Sequence, residues 1–194
     1  MQEYQKHFSV EEFDKLKKEF GPDAIIRKVE LHVSKKFFSD FAQRISTDRR
    51  AEVSFAVQRK NGKWITVQGE NYPKDTFRIP TGGVAFGEAV KTALFREVAE
   101  ELGLKTEIVK FLGCIEYTIM CEGARLLFYS FGFWLRELEG ELLADATEKE
   151  IAAVAELNRD ELVEKINILR KTEQDWSDWC RFRMESTSMI LSFV

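Results

Sequence analysis

Apolar and polar positions divide the chain into helical and extended stretches. Ser9 followed by Glu12 has the form of a capping box, and Val10, Phe13, Leu16 and Phe20 then recur at helical spacing up to Gly21-Pro22. In "AIIRKVELHV", Ile25, Val29, Leu31 and Val33 alternate with polar residues, which predicts a half-buried strand. Ser34 is placed to cap a second helix whose apolar side is Phe37, Phe38, Phe41 and Ile45. The polar run "STDRR" at 46–50 is the best boundary candidate, and the texture beyond it turns to strands. "AEVSFAVQRK" and "KWITVQ" flank Asn61-Gly62, a strong hairpin signal. A helix is predicted over about 88–102, closed by Gly103. Two long strands, "TEIVKFLGCIEYTIM" and "RLLFYSFGFWLREL", follow around the turn "CEGA". Helical patterns are read at about 148–156 and 159–170, and the amphipathic tail from 171 is left undecided. Interleaved strands and helices around one core predict a mixed α/β layered domain.

Composition narrows the chemistry. A net charge of −4 argues against a sequence-independent grip on nucleic acid, and no stretch reaches the length of apolar residues that a membrane span requires. The N-terminal stretch has no apolar core suited to a signal peptide. Three cysteines, Cys114, Cys121 and Cys180, form neither a metal spacing nor an even disulfide framework, so they read as reduced thiols of a cytoplasmic protein. With only His7 and His32 available, a metal here calls for oxygen ligands and hence magnesium, manganese or calcium.

The helix at 88–102 carries an unusual cluster. At about 100° per residue, Glu97, Glu100 and Glu101 project into one arc of about 100°, beside an apolar stripe of Leu94, Val98 and Leu102. Like charges at this spacing repel, and a bound hard cation would offset the repulsion. Gly82, Glu88, Arg96, Glu97, Val98, Glu100, Glu101, Gly103 and Leu104 together spell G-x5-E-x7-R-E-U-x-E-E-x-G-U, with U aliphatic. Complete at every position, this frame resembles the signature box of the Nudix hydrolase family.

That resemblance implies a Nudix-like α/β/α sandwich with a mixed β-sheet, plus an N-terminal strand-and-helix extension. The organisation expected is a helix-strand-helix extension over 1–50, the hydrolase domain over 51–170, and a tail over 171–194 packing on it. It implies Glu97, Glu100, Glu101 and the Gly82 carbonyl as ligands of Mg²⁺ or Mn²⁺, with Arg96 orienting the glutamates and within reach of Glu88. The general base would come from the box or from a later loop, where Glu148 and Glu150 are the candidates. Gly82, Gly83, Phe77 and Arg78 are the candidate substrate-binding residues.

The lead-in "FRIPTGGVAFGE" is similar to the family's, with Thr81 in place of the usual glycine and Ala85 in place of a common glutamate. The reaction implied is water attack at phosphorus on a nucleoside diphosphate linked to another group X. The alternative is a non-catalytic nucleotide-binding sensor on the same fold. X stays open: Met120 stands where ADP-ribose-cleaving members carry a proline, and Glu122 where dinucleoside polyphosphate members carry a tyrosine. Phe77, Tyr117, Phe128 and Trp134 are read as packing residues before base-stacking ones, and Trp176 and Trp179 as core packing before tail anchors or the edge of a site. Phe37, Phe38 and Phe41 require burial on the same domain or in a homodimer.

Overall fold

The computed structural model describes residues 7–147 and 151–193. Helix α1 (Val10–Phe20) leads to strand β1 (Ile25–His32) and helix α2 (Lys35–Thr47). Strands β2 (Ala51–Gln58), β3 (Trp64–Gly69) and β4 (Thr81–Val84) precede helix α3 (Val90–Leu102). After the long strands β5 (Lys105–Cys121) and β6 (Ala124–Glu139) come β7 (Ile151–Leu157), α4 (Arg159–Lys171) and α5 (Ser177–Met189), the last preceded by a short 3-10 turn at Gln174–Trp176.

The strands form one seven-stranded mixed sheet in the order β1-β5-β6-β2-β3-β7, with β4 paired to β2. Pairs β1/β5 and β2/β6 are parallel; the others are antiparallel. Strand β2 is buried almost throughout, as a central strand covered on both faces must be. Its alternation serves two cores. Val53, Phe55 and Val57 face α1 and α3, together with Phe13, Leu16, Leu94, Val98 and Phe131. Ala56 faces the other side, where Ile45 of α2, Leu162 and Ile166 of α4, and Phe182 and Met189 of α5 assemble. This is the expected α/β/α layering. Gly132 on β6 permits the close seating of α5, since a Cβ there would strike the Met189 sulfur.

Several local expectations hold. Ser9 Oγ accepts the Glu12 N–H (3.2 Å), Ser34 Oγ accepts the Phe37 N–H (3.3 Å), and the β5–β6 turn has positive φ at Glu122 and Gly123. Phe37, Phe38 and Phe41 pack, partly buried, against the second core. One expectation is corrected. The stretch read as helical at about 148–156 is extended where described: β7 pairs antiparallel with β3 from Trp64↔Leu157 onward. Pairing to a sheet edge overrides the helix propensity of its alanines.

Candidate active site

Helix α3 ends at Gly103, whose φ of 67° suits glycine, and the Gly103 N–H returns to the Ala99 carbonyl. Its first turn has no side-chain cap of its own, because Ala89 occupies the cap position. Glu12 of α1 supplies one: the Val90 N–H donates to Glu12 Oε1 at 2.7 Å, placing a carboxylate at the positive end of the helix. Arg50 Nη2 binds Glu12 Oε2 (2.8 Å) and the Glu88 carbonyl (2.7 Å), tying both to the start of β2. The Glu12 carboxylate is thus used on α3 rather than returning to Ser9.

Arg96 organises the box. Its Nε and Nη2 form a fork on Glu88 Oε1 and Oε2, each 2.9 Å long. Nη1 reaches Glu97 Oε1 (2.9 Å) and Glu100 Oε2 (2.8 Å), and Nη2 also donates to the Gly83 carbonyl (2.9 Å). The bonds to Glu88 raise the arginine pKa, and the same bonds hold the Glu88 carboxyl below its usual range, helped by the Ala85 N–H. Arg96 and Glu88 therefore stay charged and lock loop 85–88 onto α3.

Gly82 lies on β4 opposite Val53, and a Cβ there would collide with the Glu97 carboxyl group. Glycine lets that carboxylate lie against the strand. Glu97 and Glu101 are buried and Glu100 sits at the solvent margin. Among the described residues, no three acidic, imidazole or thiol groups stand together as a ready metal-binding set. The reason is Arg96, which draws Glu97 and Glu100 to itself, whereas Glu101 lines a separate cavity. The donor chemistry still fits a hard cation, with carboxylate oxygens on one helix beside a glycine cradle.

That cavity, about 300 Å³, is walled by Arg44, Arg49, Arg78 and Arg183 together with Thr81 and Glu101. Arg78 Nη1 donates to the Ile79 carbonyl (2.9 Å) and to Thr81 Oγ1 (3.2 Å). Burial lowers the Arg78 pKa and the neighbouring Arg183 lowers it further, against the pull of Glu101. Arg183 Nη1 donates to Glu52 Oε2 (2.8 Å), and Ser130 Oγ donates to Glu52 Oε1 (2.9 Å). The Nε atoms of Arg78 and Arg183 are buried without a hydrogen-bond partner. Arg49 lies over Gly83, its Cζ 3.1 Å from where a Cβ would stand. Asp48 lines the cavity too, paired with Arg49, and the arginines outnumber the carboxylates, so the wall suits a multiply charged anion.

Of the substrate-binding candidates, Arg78 lines the cavity and Gly83 supports Arg96 and Arg49. Phe77 instead lies under Lys165 of α4, with Nζ 5.5 Å from its ring centroid. Glu148 and Glu150 lie outside the described residues. The loop before them runs along the end of α3, with the Thr147 N–H on the Glu100 carbonyl (2.9 Å). Sequence reasoning missed Arg44, Arg49, Arg183 and Glu52. The one signal was the arginine pair in "STDRR", read as a boundary.

The layered fold, the glutamate helix and the glycine cradle stand together in one domain. The chain belongs to the Nudix family: the family model for the NUDIX domain matches residues 48–180. An RNA pyrophosphohydrolase of Actinobacillus pleuropneumoniae serotype 5b is 26% identical over 135 residues, covering 69% of this chain and 60% of that protein. An RNA pyrophosphohydrolase of Ruthia magnifica is 36% identical over 63 residues, covering 32% of this chain and 34% of that protein. The matches thus span less than two thirds of either relative. A NUDIX hydrolase from Nitrosomonas europaea, known in structure, has a TM-score of 0.49 at 18% identity, covering 70% of this chain and 88% of that one. Among the described residues no helix is long and apolar enough to cross a membrane.

Proposed function

We propose that the protein is a metal-dependent pyrophosphohydrolase that cleaves a nucleoside diphosphate linked to another group X by water attack at phosphorus. The observation that carries this reading is the opening of an arginine-walled cavity onto Glu101 of the box helix. Glu97, Glu100, Glu101 and the Gly82 carbonyl would hold Mg²⁺ or Mn²⁺. When bound, such an ion neutralises diphosphate charge and makes a bound water more acidic.

The chain's own groups supply the rest. Arg78 and Arg183 hold the diphosphate oxygens through guanidinium donors, including their unpartnered Nε–H groups. Arg96 keeps the helix in register with Gly83, and turning Glu97 and Glu100 away from it frees their oxygens for ligation. The proton of the attacking water goes to a carboxylate of the box or of the later loop with Glu148 and Glu150. Residues 51–170 form the hydrolase unit of this scheme, flanked by 1–50 and 171–194.

The test is phosphate-linked turnover of nucleoside triphosphates, dinucleotides, nucleotide sugars and ADP-ribose with Mg²⁺ or Mn²⁺, and again with EDTA. Hydrolysis is expected to disappear in EDTA and to fall by on the order of 10²- to 10⁴-fold in Glu100→Gln or Glu101→Gln. Saturable binding without turnover of any compound would replace this reading with that of a nucleotide sensor.

A further inference from the structure

Beside the arginine-walled cavity lies a second space, about 440 Å³, on the same side of the sheet. Arg44, Arg49, Tyr72 and Arg183 line both, so the two spaces share a wall. The second is aromatic. Phe37 and Phe41 of α2 bound it together with Phe128 of β6 and Phe182 of α5. Tyr72, Trp176 and Trp179 line it as well, with Lys36, Asp40 and Asp175 among the charged groups of its wall. These last three rings form a cluster: Tyr72 and Trp179 have centroids 4.1 Å apart, and Trp176 meets Trp179 edge-on at 5.7 Å. The Arg78 guanidinium lies 5.8 Å from the Trp179 ring, linking the cationic wall to the aromatic one.

Aromatic rings in a core fill it. Here seven rings surround a space of the size ligand pockets have, about 300–1,000 Å³. One polar group in its wall has an unmet need: Arg183 is 9% exposed, and its Nε has no hydrogen-bond partner. The walls come largely from α2 and from residues 174–189, the two segments that flank the glutamate-bearing core of the domain.

We propose that this aromatic chamber binds the nucleobase of the substrate, with Tyr72, Trp176 and Trp179 as the specificity-determining rings. The flanking segments thereby choose the substrate, and the shared arginines hold the phosphates between base and box. This deepens the hydrolase reading and rests on it for the position of the phosphates. A flat ring stacks on any of these faces, whereas a sugar alone would leave the aromatic walls in water.

Calorimetry on the full chain in EDTA, where turnover is not required, tests this. The probes are ADP, GDP, CDP and UDP, with inorganic pyrophosphate as the headless comparison. At least one nucleoside diphosphate is expected to bind about tenfold more tightly than pyrophosphate. Trp176→Ala and Trp179→Ala should each remove most of that advantage, Trp176→Ala with pyrophosphate affinity within about twofold, and Trp176→Phe should keep it. Thermal melts identify any variant that has lost its fold, and Trp176→Phe then carries the comparison against Trp179→Ala. Pyrophosphate binding as tightly as all four nucleotides, no binding of any of them, or a full advantage in both alanine variants would each overturn the proposal. A protein that binds in this way yet hydrolyses nothing would sink the hydrolase reading and leave the chamber assignment standing.

Discussion

On the α1/α3 side of the sheet the aromatic rings close an interior; on the α2/α5 side they meet one another and also border a space. Phe8 stacks on Phe131 at 6.0 Å and Phe111 packs on Phe133 at 5.1 Å, all buried, in a closed interior. Phe37, Phe41 and Phe182 are as rich in rings, yet they stand round a 440 Å³ chamber. The difference follows from what β2 and β6 send to each face. Towards α3 go Val53, Phe55 and Phe131; the other face carries Glu52 and Ser130, joined to each other and to Arg183. A hydrogen-bonded carboxylate at the floor cannot be covered by apolar atoms without penalty, so that side keeps room for polar company. One side is thus built to hold α3 rigid, and the other to receive something.

Altering the rigid side should have the largest consequences. Gly82→Ala drives a methyl group into the Glu97 carboxyl, and turnover is expected to fall by about 10²-fold with the fold retained. Steady-state rates and a thermal melt separate the two effects. A smaller effect is expected from Glu12→Ala, which removes the substitute cap of α3 and leaves Arg50 without its carboxylate. The loss should be about 2 kcal/mol, seen as a melting point lowered by about 4–8 °C. An unchanged melting point would mean that α1 does not brace the helix.

Acid sensitivity gives the smallest effect. Glu88 is held below its usual pKa, so it binds fewer protons folded than unfolded near pH 4. Its contribution to stability is full above its unfolded pKa and fades as pH falls through the depressed folded value. Wild type should therefore lose stability below about pH 4 more steeply than Glu88→Gln, as urea melts across that range will tell. None of these three changes touches the chamber, so nucleobase preference should persist wherever binding is still measurable.

The rigid side was the more legible in sequence. The glutamate box, the Gly103 stop and the reach of Arg96 to Glu88 are local in the chain, set by helical spacing and by neighbours within one element and its loop. The receiving side is written across distance. Arg49 looked like part of a boundary because its role depends on Gly83, which lies in another strand. Arg183 sat in an amphipathic tail left undecided, since α5 is buried on several faces at once. Glu12 read as a cap for its own helix, and only tertiary packing directs it to Val90. Strand β7 is rich in alanine, and nothing near it announces that β3 will pair with it.

The ion pair between Glu52 and Arg183 joins residues 131 positions apart. During synthesis, then, β2 emerges long before the arginine that neutralises its buried carboxylate. Closing so long a loop costs little more than closing a short one, but it comes late. A chain cut off before α5 would lack both the arginine and the helix that lies over Glu52, leaving that carboxylate open to water. The residue pair that shapes the arginine wall therefore also fastens the last helix to the centre of the sheet.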